Sequence, residues 1–198
     1  SNNEIIEKFQ TITGIKERRY ANKEHKTSDL ATFASVEAIK NASIDKETID
    51  YIIVAHNFGD IEFGTNQYIA LPSVATMVKH KLDIQNENCV AYDLIFGCPG
   101  WIEGVIQAKA FIESGMAKRC LVIGADTLSR TIDENDRDSM IFADGAGATI
   151  IEKGKRSGGI LSHKTITKAN KEALYLFCDN SYDPKNKKNI KHIKMNGR

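Results

Sequence analysis

At Ile95-Phe96-Gly97-Cys98-Pro99-Gly100 the chain passes from a strand-length apolar run into a helical pattern with no room for a loop. On one side, Cys89-Val90-Ala91-Tyr92 begins the run. On the other, Trp101, Ile102, Val105, Ile106, Ala108, Phe111 and Ile112 recur at helical spacing until Ser114-Gly115 stops the pattern. Cys98 is therefore expected on a sharp strand-to-helix turn, at or next to a helix N-terminus. Unpaired backbone N–H groups and the positive end of the helix dipole at such a place favour a thiolate. Pro99 fits the first helical turn because it has no N–H to leave unsatisfied, and Gly100 removes a side chain near the sulfur. The pattern suits a nucleophile elbow with Cys in place of Ser. A buried structural thiol fits the local pattern equally, since free Cys is among the most buried residue types.

The other segments extend the same alternation. Asn2-Asn3 can cap a short helix through Glu4 to Phe9, and Gly14 starts a charged extended stretch. Thr27-Ser28-Asp29 starts a second helix, with Leu30, Phe33, Ala34, Val36, Ala38 and Ile39 as its expected buried face. Residues 49–55 and 120–126 read as strands buried on both faces. Pro72-Ser73 opens a helix carrying Val74, Val78 and Leu82, and a small-residue turn at Asp144 leads into a further strand. Beyond Glu152 the pattern weakens, with strands expected near 159–163 and 190–195. This order implies an α/β fold with a largely parallel sheet, whose active site would gather at the carboxyl ends of the strands.

Composition narrows the function classes. Residues 1–152 hold 15 Lys and Arg against 23 Asp and Glu, whereas residues 153–198 hold 12 against 3. The basic C-terminal segment reads as a solvated Lys-rich loop and strand edge, or as a surface that meets phosphate or an acidic partner. No RNA-binding signature or interleaved aromatic stripe argues for nucleic acid. No run approaches the roughly 20 apolar residues of a membrane span, and no secretory signal opens the chain. Cys89, Cys98, Cys120 and Cys178 lack zinc-ligand and CxxC spacing, so reduced thiols in a cytoplasmic protein are expected.

Other motifs have two readings each. Gly145-Ala146-Gly147 suggests a phosphate loop but lacks GxGxxG spacing, and tight backbone packing before a strand explains it better. His25, His56, His80, His163 and His192 form no HxxxH or HExxH pair, so no metal is expected. His56, at a strand end, is a base for Cys98 or a hydrogen-bonding strand-end residue, the second being the commoner outcome. Asp93 reads as a buried or capping residue. Arg137, between Asp136 and Asp138, suits stacking on an aromatic base, pairing with phosphate or a surface ion pair.

Taken together, Thr13 to Arg19, Pro72-Ser73, Asp93 to Gly100, Gly124-Ala125-Asp126, Asp136-Arg137, Phe142 to Ala148 and Met195-Asn196-Gly197 resemble β-ketoacyl-acyl-carrier-protein synthase III. That family is a condensing-enzyme branch of the thiolase superfamily. The resemblance implies the N-terminal half of a thiolase-like fold over residues 1–198, with helices on both faces of a mostly parallel sheet. Residues 153–198 would be a basic loop or connecting region toward a second half. A first, central strand would precede Asn2, and the chain's end in mid-pattern at Arg198 looks like a cut.

In that family Cys98 matches the nucleophile that takes an acyl group from an acyl-CoA thioester. A malonyl-acyl-carrier-protein thioester then loses CO2, and its carbanion attacks the acyl-enzyme. Arg137 matches an Arg that stacks on the adenine of CoA, and Leu71 a position lining the acyl pocket across a homodimer interface. No cofactor is implied beyond the CoA or carrier-protein thioesters. The family's catalytic His and Asn belong to the second half, so residues 1–198 alone are expected to be inactive in condensation. Lys8 and Ile12 stand where the family often has Trp and Arg, which leaves room for a carrier-bound starter. Phe96-Gly97 and Pro99 replace the usual alanines, implying a different substrate choice. Rival readings are a 3-hydroxy-3-methylglutaryl-CoA synthase-like acyltransferase and a non-catalytic dimerisation or carrier-binding module.

Overall fold

The computed structural model describes residues 2–154, 159–185 and 190–196. In chain order they form α1 (Asn2–Thr13), α2 (Thr27–Ala42), β1 (Tyr51–His56), β2 (Asp60–Ile61), β3 (Tyr68–Ile69), α3 (Val74–Lys81) and β4 (Val90–Ile95). There follow α4 (Gly100–Glu113), β5 (Arg119–Thr127), β6 (Asp144–Glu152), β7 (Leu176–Asn180) and β8 (Lys191–Met195). Four strands make the main sheet in the order β4-β1-β5-β6. β1 runs parallel to both β4 and β5, and β6 is antiparallel to β5.

Side-chain alternation along β1 divides the core in two. Ile52 and Val54 join Leu121 and Ile123 against α2 and α3, while Ile53 joins Cys120 and Val122 against α4. The chain goes from β1 out to β4 and then back across β1 to β5. Right-handed crossovers in opposite directions put their helices on opposite faces, so α3 and α4 flank the sheet. β1 pairs directly with β5 over Tyr51 to Ala55, so the centre of the sheet is continuous. The expected vacancy for a central strand is not there; the sheet's two edges are β4 and β6.

Three helix expectations change. α1 continues to Thr13, where the hydroxyls of Thr11 and Thr13 donate to the carbonyls of Glu7 and Phe9, and Asn3 lies within it. On α2 the buried residues are Thr27, Ser28, Ala31, Thr32 and Ser35, whereas Phe33 and Val36 are exposed. Small residues let this helix lie close to the sheet. The Thr32 and Ser35 hydroxyls donate to Ser28 O and Ala31 O at 2.7 Å, so they can be buried without losing partners. On α4 the contact line is Gly100, Gly104 and Ala108, one residue per turn; a Cβ on Gly104 would lie 2.8 Å from Val122 Cγ1.

Beyond Glu152, residues 159–163 form no strand, and the expected strand near 190–195 is β8, paired with β7. One lysine of the basic segment is far from solvated. Lys194 is 1% exposed, 2.5 Å from Asp133 Oδ2 and 3.5 Å from Asp136 Oδ2, with Tyr182 beneath it. Gly197, from the last family motif, lies outside the described residues.

Candidate active site

Cys98 is exposed on the turn between β4 and α4, beside the carboxyl ends of the parallel strands. Gly97 takes a left-handed φ of 75°, and Gly100 N–H closes the turn on Gly97 O at 3.0 Å. Pro99 is the residue immediately before the helix; its carbonyl accepts from Glu103 N–H at 3.2 Å. Gly100 has a different purpose from the one expected. A Cβ there would lie 2.9 Å from Ala55 Cβ, so its bareness lets α4 press on β1 rather than clearing space at the sulfur.

Beside Cys98 lies a concavity of about 370 Å³ whose lining includes Gly124, Asp126, Gly145 and Gly147. Trp101 packs over Gly124, where an added Cβ would stand 3.1 Å from the Trp101 Cβ. The tight-packing reading of Gly145 and Gly147 fails: both lie inside β6, and a Cβ on either would meet nothing within 4 Å. Their missing side chains leave the hollow open instead.

His56 and Asp93 fulfil their quieter expectations. His56 is buried, and its Nε2 is 2.8 Å from Asp93 Oδ2. Asp93 also accepts from the N–H groups of Val74 at 2.9 Å and Ala75 at 2.7 Å, the first two residues of α3. Burial by itself would raise the Asp93 carboxyl, but the bonds from His56, Ala75 and Val74 outweigh it and hold the group below its ordinary value. Ser73 caps the same helix by accepting from Thr76 N–H.

Sequence reasoning passed over a second pair. Asp126, the second-last residue of β5, accepts from the Asn57 N–H at 2.9 Å and from Asn57 Nδ2 at 2.7 Å. Burial pushes the Asp126 carboxyl up, and the Asn57 donors only partly offset this. Both residues are polar and stand at the carboxyl ends of mostly apolar strands, the one signal that could have found them.

The other cysteines differ in kind from Cys98. Cys89 and Cys120 are buried, which pushes both thiols up, Cys120 to about 12. Cys178 is exposed on β7, where partial screening from water by its neighbours still raises its thiol. Arg137 is exposed on a short 3-10 turn whose cap is Asp136, and Leu71, 84% exposed, precedes Pro72. Neither lines the Cys98 concavity. Among the described residues, no cluster of three or more His, Cys, Asp or Glu could hold a metal ion. No helix among them is long and apolar enough to cross a membrane.

Comparison with known proteins covers both sequence and fold. Residues 92–169 match the family model for 3-oxoacyl-[acyl-carrier-protein] synthase III. β-Ketoacyl-[acyl-carrier-protein] synthase III of Neisseria meningitidis serogroup C is 42% identical over 170 residues, covering 82% of this chain and 50% of the relative. The protein of the same name from Staphylococcus haemolyticus is 39% identical over 188 residues, covering 94% and 54%. Crystal structures of synthase III from Thermus thermophilus and Aquifex aeolicus superpose with TM-scores of 0.77 and 0.81. They are 34% and 33% identical and cover 96% and 97% of this chain, and 56% of each solved chain. The chain spans about half the length of the curated relatives it matches. Motif order, α/β architecture and these likenesses agree, and the chain belongs to the 3-oxoacyl-[acyl-carrier-protein] synthase III family.

Proposed function

We propose that this chain supplies the acyl-accepting part of a synthase III-type condensing enzyme in fatty-acid or related acyl-chain assembly, with Cys98 as the nucleophile. The observation that carries the reading is the placement of Cys98. It is the cysteine that stands exposed on a strand-to-helix turn, beside a glycine-lined hollow at the strands' carboxyl ends. The Cys98 thiolate attacks the carbonyl carbon of an acyl-CoA or acyl-carrier thioester. N–H groups at the start of α4 stabilise the oxyanion. Collapse breaks the bond to the leaving sulfur, which departs as a thiolate and takes up a proton. Malonyl-acyl-carrier protein then loses CO2, and its carbanion forms a C–C bond to the acyl carbon, expelling Cys98 and leaving a β-ketoacyl product.

Arg137, exposed and cationic, would contact the adenine of CoA. Leu71, with Val90 and Ile95 exposed on the edge strand β4, supports a homodimer that completes the acyl pocket. Residues 153–198 would connect this half to the remainder of the enzyme. Four unpaired cysteines favour the reducing cytoplasm. Mixing the protein with acetyl-CoA should release about one free CoA thiol per chain in a single fast phase. Release that persists in Cys98→Ala, or none with acetyl- or octanoyl-CoA, rejects the assignment and leaves a non-catalytic module as the better reading.

A further inference from the structure

Ala55 and His56 close β1 with Asn57 directly after them, and the side chains of these three residues alternate between the two sides of the sheet. Ala55 meets Gly100 on the α4 face, and His56 turns to the opposite face, toward Asp93 and α3. Asn57 returns to the α4 side: its Oδ1 lies 3.9 Å from where a Cβ would stand on Gly97, the residue before Cys98. Its other amide atom and its backbone N–H both donate to Asp126, which lines the Cys98 hollow.

We propose that Asn57 is a positioning residue for Cys98: pinned by Asp126, its side chain sets where the Gly97-Cys98 turn stands over the concavity. The inference rests on the reading of Cys98 as acyl acceptor. Its physical basis is the turn itself. Gly97 adopts a left-handed φ that a glycine enters freely, and equally freely leaves, so the local backbone does not fix the sulfur. Support has to come from neighbours. Gly100 against Ala55 holds the helix side of the turn, and Asn57 against Gly97 holds the strand side. The Asn57 side chain cannot swing away without taking its Nδ2 donor from a carboxylate held partly out of water. Attack on a thioester is sensitive to such placement, since a misplacement of about 1 Å can cost about a hundredfold in rate.

The test compares two reactions of the same sulfur in the unsubstituted protein, Asn57→Ala and Asn57→Asp. Acylation by acetyl-CoA, followed by intact mass, needs a placed sulfur; alkylation by iodoacetamide needs only an accessible one. Both variants should acylate about tenfold or more slowly at saturating acetyl-CoA. Their half-saturating acetyl-CoA concentration and alkylation rate should stay close to those of the unsubstituted protein, while the donor lost to Asp126 lowers the melting temperature modestly. Equal acylation rates overturn the proposal. So does a joint loss of acylation and alkylation, which would make Asn57 merely structural. If iodoacetamide alkylates Cys98 in the unsubstituted protein but neither acetyl- nor octanoyl-CoA acylates it, the acyl-acceptor reading itself fails, and the positioning role with it.

Discussion

Gly100 lies so close over Ala55 that a methyl group on it would stand 2.9 Å from the Ala55 Cβ, nearer than two such carbons approach in folded proteins. Neither atom belongs to a flexible side chain that could swing aside. Gly100→Ala must therefore lift the start of α4 off β1. Overpacking of this kind costs about 1–3 kcal/mol, more than the roughly 1 kcal/mol that alanine gains in helix propensity. Urea unfolding should show the loss. Adding Ala55→Gly should recover at least about 0.5 kcal/mol of it, since the two sites touch.

Asp93 ties a buried histidine to the first turn of α3, and its pH response has a definite sign. The carboxyl titrates near 3.9 in an unfolded chain and lower in the folded one. Its contribution is thus complete above about pH 4 and drains away as pH falls through the folded value. Urea midpoints measured from pH 6 down to 3 should fall more steeply for the unsubstituted protein than for Asp93→Asn. At pH 7 that variant should already be weaker by about 1–3 kcal/mol, because His56 and two helix N–H groups lose a charged acceptor.

The buried Lys194–Asp133 pair should respond asymmetrically. Asp133 also accepts from Asn135 N–H at 3.1 Å, Ser181 Oγ at 2.9 Å and Tyr182 N–H at 2.7 Å. These bonds, with Lys194, hold its carboxyl well below the usual range despite burial. Asp133→Ala strands a buried ammonium and should cost about 3–5 kcal/mol. Lys194→Met leaves the carboxylate its donors from Asn135, Ser181 and Tyr182 and an apolar stem in the same space, and should cost less. Denaturation of the two single variants measures the difference.

How much of this was legible beforehand follows from what each part depends on. β1, β5 and the helices after Pro72 and Pro99 announce themselves because burial on both faces, or along one stripe, imposes a pattern on the residues. β4, half-buried at the sheet edge, shows only as a short apolar run. α2 misled because it buries alanine, serine and threonine, which hydropathy does not rank as core. β7 escaped because its residues are mostly exposed and carry little alternation. Cys98 stood out locally, since its turn is built from adjacent residues. Asn57 with Asp126, and Asp133 with Lys194, are 69 and 61 residues apart, and only the fold brings each pair together.

The central claim is that Cys98, among four cysteines, accepts the acyl group. Cys178 is exposed as well and provides an internal control. After brief exposure to acetyl-CoA and proteolysis at mildly acidic pH, peptide mass spectrometry would locate the thioester. The account predicts an added acetyl group on the peptide containing Cys98, with Cys89, Cys120 and Cys178 unmodified. An acetyl group distributed over Cys98 and Cys178 alike, or found on Cys178 alone, would contradict it.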